Sequence, residues 1–391
     1  MRRPAEAAAR RLASEVGASF LLGAIAGVAQ GIAHGRVSAG TGQLVDWDRV
    51  YQIGSKLCGG TSAQLSSAER QEREAHYRAI VERVSPRMVE YLGGNFSFST
   101  RPEVLDRAGW IQANIGSFAT VFEPVEDVLR QHMGNRLSSP LNQQTGSVVL
   151  GVMLGYLSRR VLGQYDPALL GKEALTAGRL YFVEPNLESA RRQMSLPKDQ
   201  FETWIVFHEL THSWQFEAHS WLREHMNEHV RTLLTSASGK LAQIDAAELL
   251  RLAMRGELDL RRPDRVLTSF MTSEQKRIFD QLQALMSLLE GFSNHVMDAL
   301  GPEMLPDYGL ISSQFERRHE RKTRGEKLFI RATGLEMKME QYRSGELFVN
   351  EVVGQHGVAF MNKVWDGPER LPGLREIYHP SEWVDRIGRQ P

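Results

Sequence analysis

The feature that most constrains this chain is the pentad His208-Glu209-Leu210-Thr211-His212, which lies in a stretch predicted to be helical. Residues four apart in an α-helix lie on the same face, about 6 Å apart along the axis. Two imidazoles placed in this way can bind one zinc ion, and the glutamate beside the first histidine can reach water at that ion. The pentad therefore predicts a helix at this point of the fold and metal-assisted hydrolysis as its chemistry.

The residues around the pentad predict a long, buried helix. Asp199 followed by Glu202 resembles a capping box, and Pro197 just upstream is typical of a helix start. No proline or glycine interrupts the chain from Asp199 to Val230. The alternative interpretation is an amphipathic helix with two surface histidines and a solvated glutamate. The apolar flanks favour the metal site, because such a site needs a dry shell.

The composition excludes several classes of protein. The chain has 391 residues, of which 42% are hydrophobic and 24% charged, as in an ordinary soluble globular protein. Its 47 basic and 47 acidic residues cancel, so we expect no nucleic-acid partner and no bulk attraction to anionic lipid. Cys58 is the only cysteine, which excludes intramolecular disulfides and cysteine-rich zinc modules. Any metal site must therefore use histidine and carboxylate ligands, and a reducing, cytoplasmic location fits best.

The N-terminal 44 residues differ from the rest of the chain. Residues 19–33 are apolar and contain three glycines, but they are fewer than the about 20 apolar residues of a membrane-spanning helix and include Gln30. As a signal peptide the segment would have an unusually long charged region and no convincing cleavage site. We expect residues 1–44 to form an Ala/Gly-rich segment with a helix packed on the protein body, with peripheral membrane contact through residues 19–33 as the alternative. Residues 45–391 are expected to form a single domain.

The rest of the chain is predicted to be mainly α-helical. Gly151 and Gly155 lie in one predicted helix and would let a neighbouring helix approach closely. The clearest strand is 178–183, which either pairs with an extended substrate backbone as an edge strand or fills the core. We predict one helical domain with a small β-sheet next to the metal-binding helix. Besides the pentad helix, a helix is expected to begin at 45–48, and others to cover 64–92, 118–133, 147–162, 241–255, 273–300 and roughly 314–344.

A zinc hydrolase needs a third protein ligand and an open fourth position. One known arrangement adds a third histidine six residues after the second, with a glycine between them, but here those positions hold Ala218 and Gln215. His219 lies one residue further on the same predicted helix, about 10 Å along the axis from His212. It therefore cannot complete the metal site. We expect it either to line the cleft or to contact one of the metal ligands without binding the metal itself.

The predicted helix at 273–300 supplies better candidates for the third ligand. Glu290 lies within the boundary of its apolar stripe, where a carboxylate is costly unless it is paired or bound to metal. Asn294, one turn further on, would be placed to orient a metal-bound histidine. His295 is five residues from Glu290, roughly 140° around the helix, so the two should not bind one ion together. Glu290 is the preferred ligand and His295 the alternative.

Several stretches of the chain carry a resemblance to a known family, within a similarity that spans roughly residues 45–385. These stretches are 106–111, 161–166, 201–222, 290–298 and 335–346. Together they resemble a zincin-like family of metallohydrolases, whose members are often labelled as associated with the biosynthesis of a deazaflavin coenzyme. The resemblance implies a zincin-like fold and a metallopeptidase-like activity assigned chiefly through the pentad, and it supplies no physiological substrate. The N-terminal extension before Val45 departs from the family pattern.

A hydrolytic mechanism follows as a hypothesis. Zinc bound by His208, His212 and Glu290 would lower the pKa of its water molecule towards neutrality. Glu209 would act as the general base, taking the proton of the water and passing it to the leaving amine.

The mechanism also needs a donor for the oxyanion. Tyr342 and His295 are the preferred candidates, and Lys338 and Arg343 are lower-ranked alternatives. For Tyr342, a core aromatic on a helix is an equally good interpretation. The basic run 317–324 is expected to be a solvated helix face; an anionic ligand is the alternative.

Two classes of function remain open. The preferred one is a zinc-dependent metallohydrolase that cleaves a peptide or related amide, that is, a metallopeptidase. The alternative is a non-catalytic, zinc-stabilised protein that acts through binding of partners or ligands. Glu209 favours the first, since a purely structural ion has no use for a general base; a fourth protein ligand would favour the second.

Overall fold

The computed structural model describes residues 45–59, 65–133, 140–166, 178–241, 272–320 and 338–389. They form a mainly α-helical protein with one small sheet, which confirms the predicted fold class. None of the described helices is long and apolar enough to cross a membrane. Residues 1–44, the predicted helix at 241–255 beyond its first residue, and the second half of the basic run (321–324) lie outside the described residues.

The elements follow in chain order, with short 3₁₀ turns at Asn362–Trp365 and Pro368–Arg370. They are α1 (Trp47–Leu57), α2 (Ser67–Leu92), β1 (Arg101–Leu105), α3 (Arg107–Met133), α4 (Pro140–Leu157), β2 (Gly163–Asp166), β3 (Arg179–Val183), α5 (Glu184–Met194), α6 (Lys198–Glu217), α7 (Ser220–Leu241), α8 (Ser273–Met304), α9 (Tyr308–Glu320), α10 (Lys338–His356), α11 (Val358–Met361), α12 (Leu374–Tyr378) and α13 (Pro380–Gly388).

Side-chain caps define where three of the long helices begin. Asp46 accepts a hydrogen bond from the backbone N–H three residues further on and so starts α1. Ser66 and Thr272 each form a capping box, at the starts of α2 and α8. These caps satisfy backbone donors that the first turn of a helix leaves without partners.

The start of α6 differs from the prediction. The helix begins after Pro197 and has no side-chain cap, so the capping box predicted for Asp199 and Glu202 is wrong. The carboxylate of Glu202 instead contacts Arg73 and His76 of α2. Tertiary pairing with a neighbouring helix has replaced the local cap.

The end of α6 also differs, because the helix stops at Glu217 and α7 begins at Ser220. A continuing helix would bond the backbone N–H of His219 to the carbonyl of Gln215. The ring Nδ1 of His219 lies 3.1 Å from that carbonyl oxygen instead. The predicted unbroken helix from Asp199 to Val230 is therefore wrong, since a side chain takes the place of a backbone donor.

The sheet has the strand order β1-β3-β2, with β1 parallel and β2 antiparallel to β3. Val104 pairs with Phe182, and Tyr165 pairs with Leu180. The predicted strand at 178–183 is confirmed as β3, but it is the central strand and its interior side chains are fully buried. The edge-strand interpretation is wrong, because two short segments that the sequence did not single out as strands cover both of its edges.

Glycines set the contact between α1 and α4, as predicted. A Cβ atom at Gly151 would lie 2.7 Å from the Cβ of Ile53, and one at Gly155 would lie 2.9 Å from the carbonyl oxygen of Gly54. Both distances are shorter than any side chain tolerates, so α1 can lie this close to α4 only where Cβ atoms are absent.

A partly buried charge network, with Glu202 at its buried end, fixes α2 against α5 and α6. The Nε of Arg73 lies 2.8 Å from a carboxylate oxygen of Glu184, and its Nη2 contacts Glu202. His76 Nε2 lies 2.8 Å from the second oxygen of Glu202, and Tyr77 donates to Glu184 at 2.9 Å. Since buried charges are costly unless paired, this network ties the pentad helix α6 to one orientation.

Candidate metal centre

Helices α6 and α8 bring together His208, His212 and Glu290. The Nε2 atoms of the two histidines are 3.3 Å apart. The carboxylate oxygens of Glu290 lie 3.8 Å from Nε2 of His208 and 3.7 Å from Nε2 of His212. All three side chains are buried, and in the described part of the chain no other set of three or more His, Cys, Asp or Glu side chains converges in this way.

The spacing of these atoms fits a zinc ion. Zinc binds histidine nitrogen and carboxylate oxygen at about 2.0–2.2 Å, and tetrahedral coordination then separates neighbouring ligand atoms by about 3.4 Å. The three separations of 3.3, 3.7 and 3.8 Å bracket that value. Two imidazoles and one carboxylate are also a ligand set of catalytic zinc sites, in which the fourth position stays open.

Gln215 orients one of the two histidines and joins the two helices. Its Oε1 accepts a hydrogen bond from Nδ1 of His212 at 2.8 Å, and its Nε2 donates to the carbonyl of Leu289 at 3.0 Å. A proton on Nδ1 leaves the lone pair of His212 on Nε2, the atom that faces Glu290. Burial lowers the pKa of His212 to about 4, which keeps the ring neutral and able to bind metal.

Replacing Gln215 by Leu is expected to weaken zinc binding by about 10- to 100-fold, the usual cost of losing a partner that orients a metal-bound histidine. Competition with a chromophoric chelator measures the affinity. Gln193→Leu, at an exposed position on α5, is the matched control and should bind zinc as the wild type does. Equal affinities for the two variants would show that Gln215 does not orient His212.

Glu209 lies between the candidate ligands and the sheet. Its Oε2 accepts a hydrogen bond from the backbone N–H of Tyr165 in β2 at 2.8 Å. Its buried Oε1 has no hydrogen-bond partner among the described residues. Burial raises the pKa of the Glu209 carboxyl well above its usual range; the Tyr165 N–H opposes this rise and the charge of Glu290 adds to it. The backbone thus holds one carboxylate oxygen of Glu209 and does not hold the other.

Gly163 makes the contact between Glu209 and β2 possible. A Cβ atom at Gly163 would lie 2.8 Å from Cγ2 of Ile205 and 2.9 Å from Cγ of Glu209. A side chain there would push β2 away from α6 and break the bond to Tyr165. The sequence alone does not single out this glycine, although it belongs to the 161–166 stretch that carries the family resemblance.

Of the two predicted oxyanion donors, the structure describes the side chain of His295, which is not part of this group of three. Nε2 of His295 lies 2.7 Å from the hydroxyl of Tyr91, and Nδ1 lies 2.6 Å from Oδ1 of Asn350. The structure thus places Glu290, and not His295, beside the paired imidazoles. Tyr342 lies on α10, but its side chain is outside the described part of the structure, as are those of Lys338 and Arg343.

Another buried carboxylate, that of Glu346 on α10, contacts α8 one helical turn beyond Glu290. Glu346 accepts a hydrogen bond from Nδ2 of Asn294 at 3.2 Å. Asn294 therefore contacts α10, while Gln215 contacts His212. The sequence alone does not single out Glu346, although it ends the 335–346 stretch of the resemblance.

His219 stays outside the group, as predicted, although α6 does not extend to it. Its ring packs against Trp214, with ring centroids 4.8 Å apart, and against Trp365, at 5.4 Å. Burial lowers the pKa of His219. This histidine ends α6 and belongs to an aromatic cluster behind it.

The fold and the site together define a class of protein: a helical protein whose His-Glu-x-x-His helix lies beside a small mixed sheet and receives a glutamate from a later helix. A family profile described as zincin-like metallopeptidase matches residues 45–384, and the chain belongs to that family. A crystal structure from Chloroflexus aurantiacus, described as "a putative hydrolase with a novel fold", is similar to this chain at 33% sequence identity with a TM-score of 0.66. The match covers 89% of this chain and all of the other. Among curated proteins, none matches significantly.

Proposed function

We propose that this protein is a zinc-dependent hydrolase and, more specifically, a metallopeptidase that cleaves a peptide or related amide bond. The observation that carries the proposal is the convergence of His208, His212 and Glu290 at separations that fit one zinc ion. Membership of the zincin-like metallopeptidase family supports the same reaction class, as does the hydrolase description of the Chloroflexus protein.

The ligand residues and the base have separate tasks. His208 and His212 would hold zinc through Nε2, and Glu290 would hold it through its carboxylate. Bound there, zinc would supply a Lewis acid that lowers the pKa of water and polarises a carbonyl group. The side chain of Glu209 would carry out the proton transfers.

Oε1 of Glu209 would take a proton from water as the water oxygen forms a bond to the amide carbonyl carbon. The same oxygen would then give this proton to the amine nitrogen as the C–N bond breaks, so the carboxylate returns to its starting state. Meanwhile Oε2 stays bonded to the Tyr165 N–H, which fixes the rotation of the carboxylate. Because the base is pre-positioned, little ordering is needed when substrate binds.

A non-catalytic, zinc-stabilised protein is the second candidate. The observation in its favour is the bond from Tyr165 to Glu209, which gives this glutamate a structural task that needs no catalysis. In that case the ion would act as a clasp between α6 and α8, and a fourth protein ligand would fill the open position.

Metal content and peptide cleavage test the proposal together. Tag-free full-length protein should contain close to one tightly bound zinc ion per chain. A peptide library analysed by mass spectrometry should show cleavage. Chelation should abolish the cleavage and added zinc should restore it. His208→Ala should remove both tight zinc and cleavage, whereas His356→Ala, at an exposed position on α10, should change neither.

The possible results separate the candidates. Tight zinc without cleavage of any library member would favour the structural clasp. Absence of tight zinc would contradict both candidates.

A further inference from the structure

Helix α7 carries another pair of histidines four residues apart, His225 and His229, outside the candidate metal centre. Residues at this spacing share one face of a helix. Their ring centroids are 4.1 Å apart, compared with 4.9 Å for His208 and His212. Both rings are only partly buried, so solvent and ions can reach them.

Both ring nitrogens of His229 face hydrogen-bond acceptors, although a neutral ring can donate from only one of them. Nδ1 lies 2.8 Å from the carbonyl oxygen of His225, and Nε2 lies 3.3 Å from Oε1 of Gln281 on α8. Both of these oxygens are acceptors, but a neutral imidazole has a single N–H group. If Nδ1 donates in the shorter contact, the lone pair of Nε2 faces a lone pair of Gln281.

Rotation of the Gln281 amide does not remove the mismatch. Nη1 of Arg277 donates to the same Oε1 at 3.1 Å, so a rotated amide would lose this hydrogen bond and move the mismatch to the guanidinium group. An ion between Nε2 of His229 and Oε1 of Gln281 would turn the two opposed lone pairs into ligands.

We propose that His225, His229 and Gln281 form a second metal site, which takes a transition-metal ion of the zinc, copper or nickel type. Imidazole suits all three metals, and two histidines at helical spacing with an amide oxygen and water complete a mixed nitrogen and oxygen ligand set. Magnesium and calcium prefer sites built from oxygen ligands and are not expected here.

The second site would share helix α8 with the candidate metal centre. Gln281 precedes Glu290 by nine residues on α8, about 14 Å along the helix axis, so the two ions would be separate. An ion at the second site would tie α7, which follows the pentad helix, to α8, which carries Glu290. Binding should therefore stabilise the folded protein, because a ligand that binds only the native state raises its stability.

Zinc titration of chelator-stripped, tag-free full-length protein by calorimetry tests this inference. At pH 8, where imidazolium is depopulated, the wild type should bind two equivalents. The double variant His225→Ala/His229→Ala should lose the weaker equivalent and keep the tighter one. His208→Ala should show the reverse, so the second site can be judged even if the candidate metal centre fails. His356→Ala, at an exposed position on α10, is the matched control and should keep both equivalents.

Gln281→Glu should increase the zinc affinity of the second site, and misfolding of the variant could not produce such an increase. A carboxylate in place of the amide oxygen should tighten the second equivalent roughly tenfold, since the number of charged ligands sets metal affinity. If the double variant binds as many zinc equivalents as the wild type, the proposal is overturned. An unchanged second affinity in Gln281→Glu would exclude Gln281 as a ligand.

Discussion

Replacing Glu209 by Gln is expected to lower kcat for amide cleavage by about 10²- to 10⁴-fold, which is the usual contribution of a positioned general base. At 1.36 kcal/mol for each factor of ten, the loss corresponds to about 3–5 kcal/mol of transition-state stabilisation. The amide oxygen of glutamine can still accept the N–H of Tyr165, so β2 should stay in place. Zinc should remain bound at one tight equivalent, since Glu209 is not one of the three converging ligands.

The measurement compares kcat, tight zinc content and melting temperature in the same preparation. Glu224→Gln, an exposed position on α7, is the matched control and should behave as the wild type in all three. Undiminished turnover in Glu209→Gln would refute the assignment of the base. A loss of zinc with the loss of turnover would instead assign Glu209 a part in holding the metal site together.

Replacing Gly345 by Ala is expected to destabilise the protein by about 3 kcal/mol or more, because overpacking at a rigid contact forces the backbone to move. A Cβ atom at Gly345 would lie 1.8 Å from the carbonyl oxygen of Ser287, and one at Gly291 would lie 2.2 Å from the carbonyl carbon of Gly345. The backbones of α8 and α10 touch at this crossing. Since Glu290 is next to Gly291, a displaced α8 should also weaken zinc binding.

Urea unfolding measures the stability, and the same helix supplies the control. Gly354 also lies in α10, but a Cβ atom there meets nothing within 4 Å. Gly354→Ala should therefore be neutral or stabilise the protein by up to about 1 kcal/mol, as expected for alanine in a helix. Equal stability of the two variants would contradict the close crossing of α8 and α10.

Local patterns in the sequence were sufficient to single out the three side chains that converge at the candidate centre. The pentad is a single helical turn, and Glu290 is a carboxylate at the boundary of an apolar stripe, so both are visible without knowledge of the tertiary structure. The mainly helical fold was predictable for the same reason, because helical periodicity is local.

The features that the sequence did not reveal depend on contacts between distant segments. The central place of β3 requires pairing with β1 and β2, two short strands that are weak signals on their own. Glu346 meets Asn294 only because Gly291 and Gly345 let two helices touch. The end of α6 depends on the ring of His219 replacing a backbone donor, which helix propensities do not describe.

The central claim is that one zinc ion is bound from α6 and α8 with an open coordination position. Anomalous diffraction at the zinc edge from crystals of zinc-loaded full-length protein tests it most directly. The account predicts that the strongest peak lies at about 2.0–2.2 Å from Nε2 of His208, Nε2 of His212 and a carboxylate oxygen of Glu290, with solvent in the remaining position. A peak elsewhere, or a protein side chain in that position, would contradict it.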